Sequence, residues 1–344
     1  MKIVYSTGNR IGGDIQLKRF LNHNKHDIKI ASYLRSSGSL THVDWILDAC
    51  RHKYTKGLKR VFKKAQGQKP LTICKESGKL LLKEVSKYGP DLIISDGEPI
   101  MANIAAELGI KLWYCSPIHL WDGIVWKSRV FQVEYFSLLE KHIKFIKRKF
   151  PKADRKFIYS PFGDIMDGPE LREGYEWIRP YYHEVDKTNS TEGIAVVRDP
   201  DRISSLSKIL NCIPPFNLTL FNPYFYNLSH IECETELDTY IAALSNCRWL
   251  FSTGETSYIS DAIYNGINRI CIAPNLDDPE LLFNSFLCKR YDIGDDLGQV
   301  EYMKQYAIDE IERSYLRSDK LRYKLEIHDH SYLHEEIDSE ESSI

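Results

Sequence analysis

The stretch from Trp249 to Asn284 constrains the fold of this chain more than any other part of it. An apolar run ends there in Ser-Thr-Gly, which predicts a buried parallel strand followed by a tight turn. Residues 255–264 predict a helix, Gly266 its end, and residues 269–274 the next strand. A strand, a glycine turn and a helix N-terminus form an anion site, because unpaired amides and the helix dipole face the ligand. The stretch therefore predicts a βαβ unit that is either a phosphate site or plain scaffold.

The same alternation of apolar strands and amphipathic helices recurs from Lys2 onward and predicts an α/β fold. A chain of 344 residues is long enough for two domains. We therefore predict two Rossmann-like, doubly wound domains that face a cleft. The predicted parts are an N-terminal domain at 1–180, a linker at 181–192, a C-terminal domain at 193–300, helices at 301–327 that pack back on the first domain, and a disordered acidic tail at 328–344.

The first glycine-rich turn, residues 7–14, has glycines at positions 8, 12 and 13. This spacing differs from the G-x-G-x-x-G fingerprint, and no acidic residue closes the second predicted strand, 26–33. A dinucleotide cofactor is therefore disfavoured, although the turn still opens a nucleotide-type fold.

Charge is distributed very unevenly along the chain. The first 90 residues carry 19 Lys and Arg against 6 Asp and Glu, a net charge of +13, whereas the remainder has a net charge of −15. Asymmetry of this size predicts a polyanionic partner for the first half. A helix is predicted over 43–68, and its cations are candidates for phosphate contacts, with a solvated helix face as the alternative. The candidate nucleic-acid-binding cations are Lys53, Lys56, Lys59, Arg60, Lys63 and Lys64.

The eight cysteines are scattered without a C-x-x-C pair, and several lie in predicted apolar strands. This distribution indicates buried free thiols in a reducing compartment and no zinc site. The chain begins with a predicted strand rather than a signal peptide, and no apolar run is long enough to span a membrane. We therefore expect a cytoplasmic protein, located in the host cytoplasm if a phage encodes it.

The C-terminal half resembles the donor domain of GT-B glycosyltransferases, particularly the inverting enzyme that adds N-acetylglucosamine to peptidoglycan lipid precursors. The pieces that match are Gly254-Glu255-Thr256-Ser257, Asp261, Gly266, Ile270–Pro274, Glu280-Leu281 and Asn284-Ser285. The family usually has Glu in place of Asp261 and Gln in place of Leu281. In the first domain, the turn with Gly12 and Gly13 matches the family's glycine-rich loop, without the histidine often found there.

The resemblance implies a GT-B fold and a nucleotide-sugar donor, a UDP-sugar first of all, with no obligatory metal. It implies that the turn residues and Arg198 bind the diphosphate and that Asp261 contacts the ribose. Glu280 and Asn284 would complete the donor site. The basic first domain would hold a polyanionic acceptor, which makes a hydroxymethylated pyrimidine in phage DNA the first hypothesis, as in DNA-modifying glycosyltransferases of similar architecture.

Two other functions stay open at this stage. One is transfer to a lipid-linked or anionic cell-surface glycan, with the basic helices resting on an acidic bilayer. The other is a nucleotide-sugar epimerase or a non-catalytic sugar-nucleotide binder on the same fold.

Sugar transfer also requires a base for the acceptor hydroxyl. Asp96 ranks first, because it follows a strand at the sheet edge where ligands bind in such folds. Glu98, Asp14 and His119 follow it. Each also has a structural interpretation: Glu98 as a turn residue, Asp14 as a helix cap and His119 as a hydrogen-bonded loop histidine.

Overall fold

A computed structural model describes residues 1–8, 13–33, 42–47, 75–125, 140–165, 169–186, 192–197, 206, 218–221, 232–234, 237–275, 278–298, 304–318 and 331–343. These residues divide into two units, one made of 1–179 with 329–344 and the other of 180–328.

The first unit is built on a parallel sheet of seven strands. The strands are β1 (Lys2–Thr7), β2 (Asp27–Ser32), β3 (Trp45–Ile46), β4 (Leu92–Asp96), β5 (Lys111–Cys115), β6 (Arg155–Tyr159) and β7 (Glu176–Ile178). Their order in the sheet is β3-β2-β1-β4-β5-β6-β7. The order reverses direction between β1 and β4, which makes this a doubly wound sheet with its switch point at those two strands.

Helices cover the sheet because its strands are apolar on both faces. They are α1 (Gly13–His23), α2 (Lys75–Tyr88), α3 (Pro99–Leu108), the single turn α4 (Leu120–Gly123) and α5 (140–149). One core cluster joins Leu81 and Val85 of α2, Ile104 of α3, Ile146 of α5 and Ile93 of β4. The helices α2, α3 and α5 therefore share one face of the sheet.

The second unit has a parallel sheet of six strands. They are β8 (Glu192–Val196), β9 (Leu218–Phe221), β10 (Glu232–Glu234), β11 (Cys247–Ser252), β12 (Arg269–Ile272) and β13 (Gly294–Asp296), in the order β10-β9-β8-β11-β12-β13. The switch point lies between β8 and β11. The predicted α/β class with two doubly wound sheets is therefore confirmed.

Four helices accompany this second sheet: α6 (Leu237–Ser245), α7 (Thr256–Tyr264), α8 (Pro279–Arg290) and α9 (Lys304–Arg317). Ile311 and Tyr315 of α9 pack in the core with Trp249, whose Nε1 donates to Ser314 Oγ at 3.1 Å. The apolar side of α9 therefore completes the core of the second unit. The expectation that residues 301–327 pack on the first domain stays a prediction.

The acidic C-terminal run forms helix α10 (Leu333–Glu341) within the first unit. Leu333 and Ile337, four residues apart, are fully buried. The carboxylate of Asp338 lies 3.3 Å from Lys25 Nζ and 3.1 Å from His26 Nε2, and Glu336 lies 2.9 Å from an Arg155 guanidinium nitrogen. The expected disorder of this run is wrong, because cations elsewhere in the unit neutralise its charge and two apolar residues fix it.

Two further expectations need correction. Trp45 and Ile46 form the short strand β3, so the helix predicted over 43–68 does not include them. The predicted linker is attached to the second unit: His183 N donates to Asp261 Oδ1 at 2.8 Å and Val185 N to Asn265 Oδ1 at 3.1 Å. Among the described helices, none is both long and apolar enough to cross a bilayer.

Candidate functional site

The turn between β11 and α7 requires glycine at position 254. Gly254 has a φ of +103°, a conformation that other residues adopt only under strain. A Cβ there would lie 3.1 Å from Ile272 Cγ2 and 3.1 Å from the carbonyl oxygen of Leu281. The turn therefore lies directly against the start of α8.

The first turns of α8 hold this loop in place. Asp278 caps the helix by accepting from Glu280 N at 2.9 Å, and Pro279 begins it. Glu280 Oε1 accepts from Thr256 N at 3.2 Å and from Thr256 Oγ1 at 2.7 Å. Asn284, one turn further along α8, donates from Nδ2 to Gly254 O at 2.8 Å. The structure thus brings together four residues that the sequence assigned to one site.

Glu255 is a second buried carboxyl group in this turn. Its carboxylate accepts from Ser252 Oγ at 3.1 Å and from Thr253 Oγ1. Burial raises the pKa of Glu255 to about 7, and the negative charge of Glu280 acts in the same direction, while the two hydroxyl groups oppose the rise. Glu255 therefore exchanges a proton near neutral pH.

Three polar atoms around the turn have no hydrogen-bond partner among the described residues. They are Ser257 Oγ, Asn284 Oδ1 and Ser285 Oγ, on side chains that are no more than 2% exposed. Buried polar atoms are almost always hydrogen-bonded in folded proteins. These hydroxyl and amide groups therefore have hydrogen-bonding capacity that no described residue uses.

Asp261 does not lie in this network. It is fully buried two turns into α7, where Oδ1 accepts from His183 N and Oδ2 accepts from Tyr240 Oη at 3.0 Å and lies 3.3 Å from His183 Nδ1. The interpretation of Asp261 as the ribose contact stays a prediction. Both carboxylate oxygens hold protein groups, so the residue anchors the segment around His183 to α7.

Polar residues also gather at the switch point of the first unit. Asp96 ends β4 beside Thr7 of β1, and Thr7 Oγ1 lies 2.8 Å from Ser32 Oγ. Gly8 N donates to the Asp96 carbonyl at 2.8 Å. Asp96 is 3% exposed. It therefore lies at the edge of the sheet where ligands bind in open α/β folds, and its role as base stays a prediction.

Glu98 caps a helix, a contact that the sequence did not predict. Its two carboxylate oxygens accept from Ile100 N and Met101 N, each at 2.7 Å, and Tyr33 Oη donates to Oε1 at 2.9 Å. Glu98 is therefore the buried N-cap of α3. Its role as a base stays a prediction, and taking up a proton there would weaken the cap.

His119 follows β5 and is buried against the Tyr114 ring, 4.8 Å between centroids. Its Nδ1 lies 3.4 Å from Asp122 Oδ1, and the Tyr175 hydroxyl donates to Asp122 Oδ2. Burial raises the pKa of Asp122, but contacts with His119, Tyr175 and Lys156 outweigh this and lower it overall. Sequence reasoning missed Asp122 and Tyr175, because 53 residues separate them.

The remaining predicted site residues stay predictions. Gly13 and Asp14 begin α1. The others lie outside the described residues: Gly12, Arg198, Lys53, Lys56, Lys59, Arg60, Lys63 and Lys64.

No protein-family model and no curated protein sequence matches the chain. Several solved structures do match. The spinosyn forosaminyltransferase SpnP has a TM-score of 0.61 at 13% identity, over 99% of this chain and 98% of that one. The spinosyn rhamnosyltransferase SpnG complexed with thymidine diphosphate has a TM-score of 0.58 at 11% identity, over 99% and 100%. The glycosyltransferase SsfS6 of Streptomyces sp. SF2575, also complexed with thymidine diphosphate, has a TM-score of 0.55 at 12% identity, over 93% and 94%.

These similarities confirm the GT-B type of fold over nearly the whole chain. At such low sequence identity they show the fold alone. The predicted closeness to the peptidoglycan-precursor enzyme, and the link to phages, remain predictions.

Proposed function

We propose that this protein is a glycosyltransferase that moves a sugar from a nucleoside diphosphate to an acceptor hydroxyl. In this proposal the turn at 252–257 and the first turns of α8 bind the donor. The fold supports it, because the structures similar over the whole chain are glycosyltransferases and two of them are complexed with thymidine diphosphate.

One observation in this chain carries the proposal furthest. A carboxylate, Glu280, bonds to Thr256 N, the first amide of α7. Amides at a helix N-terminus attract anions, so this end of α7 accepts a negatively charged oxygen in the protein itself. A diphosphate that takes the place of the Glu280 carboxylate would meet the same dipole, together with the hydroxyl donors of Ser257 and Ser285.

The site has the properties that transfer from a nucleotide sugar needs. The leaving diphosphate needs hydrogen-bond donors and a favourable dipole in a water-poor environment. The turn is almost completely buried, so each such interaction is stronger there than in water. We propose that no metal is required, and transfer in the presence of a chelator tests this directly.

Asp96 remains the first candidate for the base and His119 the second. His119 Nε2 has no partner among the described residues, and Asp122 orients the ring through Nδ1. Asp96→Asn and His119→Gln distinguish them. Loss of kcat with retained donor affinity identifies the base, and unchanged kcat in both variants would exclude both assignments.

A calorimetric titration with UDP and thymidine diphosphate, followed by a panel of their sugars, tests the donor site. We expect micromolar binding of at least one nucleotide and a loss of about tenfold or more for Asn284→Ala, since a buried hydrogen bond is removed. Asn268→Ala is the matched control, because Asn268 bonds to Ser318 O elsewhere in the second unit. Absence of nucleotide binding in the wild type would refute the proposal.

The chemical identity of the acceptor is a separate proposal. The sequence favours a hydroxymethylated pyrimidine in DNA, with a lipid-linked or anionic glycan as the alternative. The lysines that motivate DNA lie outside the described residues, so no described contact supports it. Mass spectrometry of nucleosides after incubation with modified DNA tests this acceptor, and donor hydrolysis or epimerisation without transfer would favour the epimerase or binder hypothesis.

A further inference from the structure

One face of the first unit is covered by α2, α3 and α5 and is strongly basic. All three helices turn apolar residues toward the same core cluster, so their opposite sides form one continuous surface. Packed helices lie about 8–10 Å apart, which makes this surface roughly 20 Å wide from α2 to α5.

Two stripes of cations run along the outer helices of this surface. On α2, Lys79, Lys83 and Lys87 are exposed at spacings of four residues. On α5, Lys141, Lys144 and Arg148 are exposed at spacings of three and four residues. Residues three or four apart lie on one side of a helix, so each set forms a stripe. We call these six residues the basic face.

Among the described side chains of α2, α3 and α5, three are acidic. Glu84 accepts from Trp45 Nε1 at 2.9 Å, Glu140 pairs with Lys144 at 2.6 Å, and Glu107 is exposed on α3. Burial and the neighbouring Arg148 lower the pKa of Lys149, which indicates repulsion between cations on α5. The surface therefore has an excess of positive charge.

Leu80 adds an apolar contact to the same surface. It lies in the α2 stripe beside Lys79 and Lys83, and 57% of it is exposed. An exposed leucine among lysines is typical of helices that rest on a membrane, where the apolar side chain enters the headgroup region. Five of the six cations are lysines, whereas arginine is the residue preferred for paired contacts with nucleic-acid phosphates.

We propose that the basic face docks on an anionic lipid bilayer. A wide surface with two lysine stripes and a protruding leucine matches a plane of phosphate headgroups. Each lysine near such a surface strengthens binding about fivefold. This inference does not depend on sugar transfer, because binding to vesicles needs neither donor nor acceptor.

The test is co-sedimentation of the full chain with vesicles of phosphatidylglycerol mixed with phosphatidylcholine, compared with phosphatidylcholine alone. We expect binding to the anionic vesicles only, reversed by high salt because surface charges are screened. Replacing Lys83, Lys141 and Arg148 by Gln removes three positive charges and should weaken binding roughly 100-fold. Replacing them by Glu changes the net charge by twice as much and should weaken binding further.

The matched control reverses three exposed cations of the second unit, Lys289, Arg290 and Arg313, with the same change in net charge. It should retain most of the binding. Equal binding to neutral vesicles, no binding to anionic ones, or equal losses in both reversal variants would overturn the proposal. Salt-sensitive binding of duplex DNA that is lost with the basic face, without vesicle binding, would assign the face to nucleic acid and would also overturn it.

Discussion

Replacing Glu255 by Gln should make the free energy of unfolding less dependent on pH. The wild-type carboxyl is completely buried, and its pKa is raised from 4.5 to about 7. The folded state therefore holds a proton that the unfolded state releases earlier. Stability contributed by this proton is present at low pH and is lost as pH rises from about 4.5 to about 7.

The size of the effect follows from the shift in pKa. A difference of about 2.5 pKa units corresponds to about 3 kcal/mol, of which roughly 2–3 kcal/mol appears between pH 5 and pH 8. Gln keeps the shape and an oxygen acceptor but has no charge to desolvate. Its amide group fits the hydroxyl donors of Ser252 and Thr253 less well, at a cost of about 1 kcal/mol that is independent of pH.

Urea unfolding of both proteins at pH 5 and pH 8 measures this difference, and a carbon-13 NMR titration of the Glu255 carboxyl measures its pKa directly. Glu312→Gln, a change on α9, controls for loss of one acidic group. The change in unfolding free energy from pH 5 to pH 8 is compared between the proteins. Contributions of the other titrating groups are the same in each protein and cancel in this comparison. A variant with the same pH dependence as the wild type would show that Glu255 ionises normally in the folded state, and the reasoning would fail.

Three other changes test the described geometry. Gly254→Ala should cost roughly 1–3 kcal/mol for its backbone conformation and more for the contact with Leu281. It should therefore lower the unfolding midpoint more than Gly266→Ala does, because Gly266 has a φ of +64° but open space around its Cβ position. Asp122→Asn should cost about 1–3 kcal/mol of unfolding free energy at neutral pH. Because the pKa of Asp122 is lowered, the ionised carboxylate stabilises the fold above the ordinary Asp pKa. The difference in unfolding free energy between wild type and variant should therefore shrink as pH falls. Ile337→Ala should cost about 2–5 kcal/mol and should increase hydrogen exchange across α10, whereas unchanged protection of these amides would contradict its docking.

Strongly apolar or strongly periodic segments were predicted well. The helix predicted over 255–264 is observed as α7, Thr256–Tyr264, and the strand predicted over 269–274 is observed as β12, Arg269–Ile272. Such segments carry their own signal, because burial on both faces selects a run of apolar residues and a helix selects a period of 3.6. The donor turn was predicted for the same reason, since glycine before a helix is a local signal.

Elements that depend on distant partners were not predicted. β13 consists of Gly294, Asp295 and Asp296, which have low strand propensity. It forms because β12 lies alongside: a Cβ at Gly294 would be 2.4 Å from Ile270 O, so glycine permits this pairing. Helix α10 was missed likewise, because its acidic composition indicates disorder until cations from other parts of the unit are placed beside it.

The carboxylates that the sequence assigned to the site share one ambiguity. A carboxylate near a helix N-terminus or a sheet edge has equal reason to bind a ligand or to satisfy amides of its own protein. In Glu98 and Asp261, both carboxylate oxygens accept from amide or hydroxyl groups of the protein itself. Sequence spacing places such residues at the right edge of the sheet but does not say which donors reach them first.

Glu280 satisfies an amide of its own protein at a helix end where a ligand anion could also bind. Its carboxylate satisfies Thr256 N at the N-terminus of α7, so the donor turn is stable as it stands. A diphosphate bound at the same helix end would compete with Glu280 for this amide, and Glu280 is attached to α8 one turn before Asn284, which holds Gly254. We infer that donor binding and the contact between α7 and α8 are coupled, because Glu280 and Asn284 of α8 both bond to the turn that begins α7. In the proposed donor site, the Glu280 carboxylate holds this position until the diphosphate takes it.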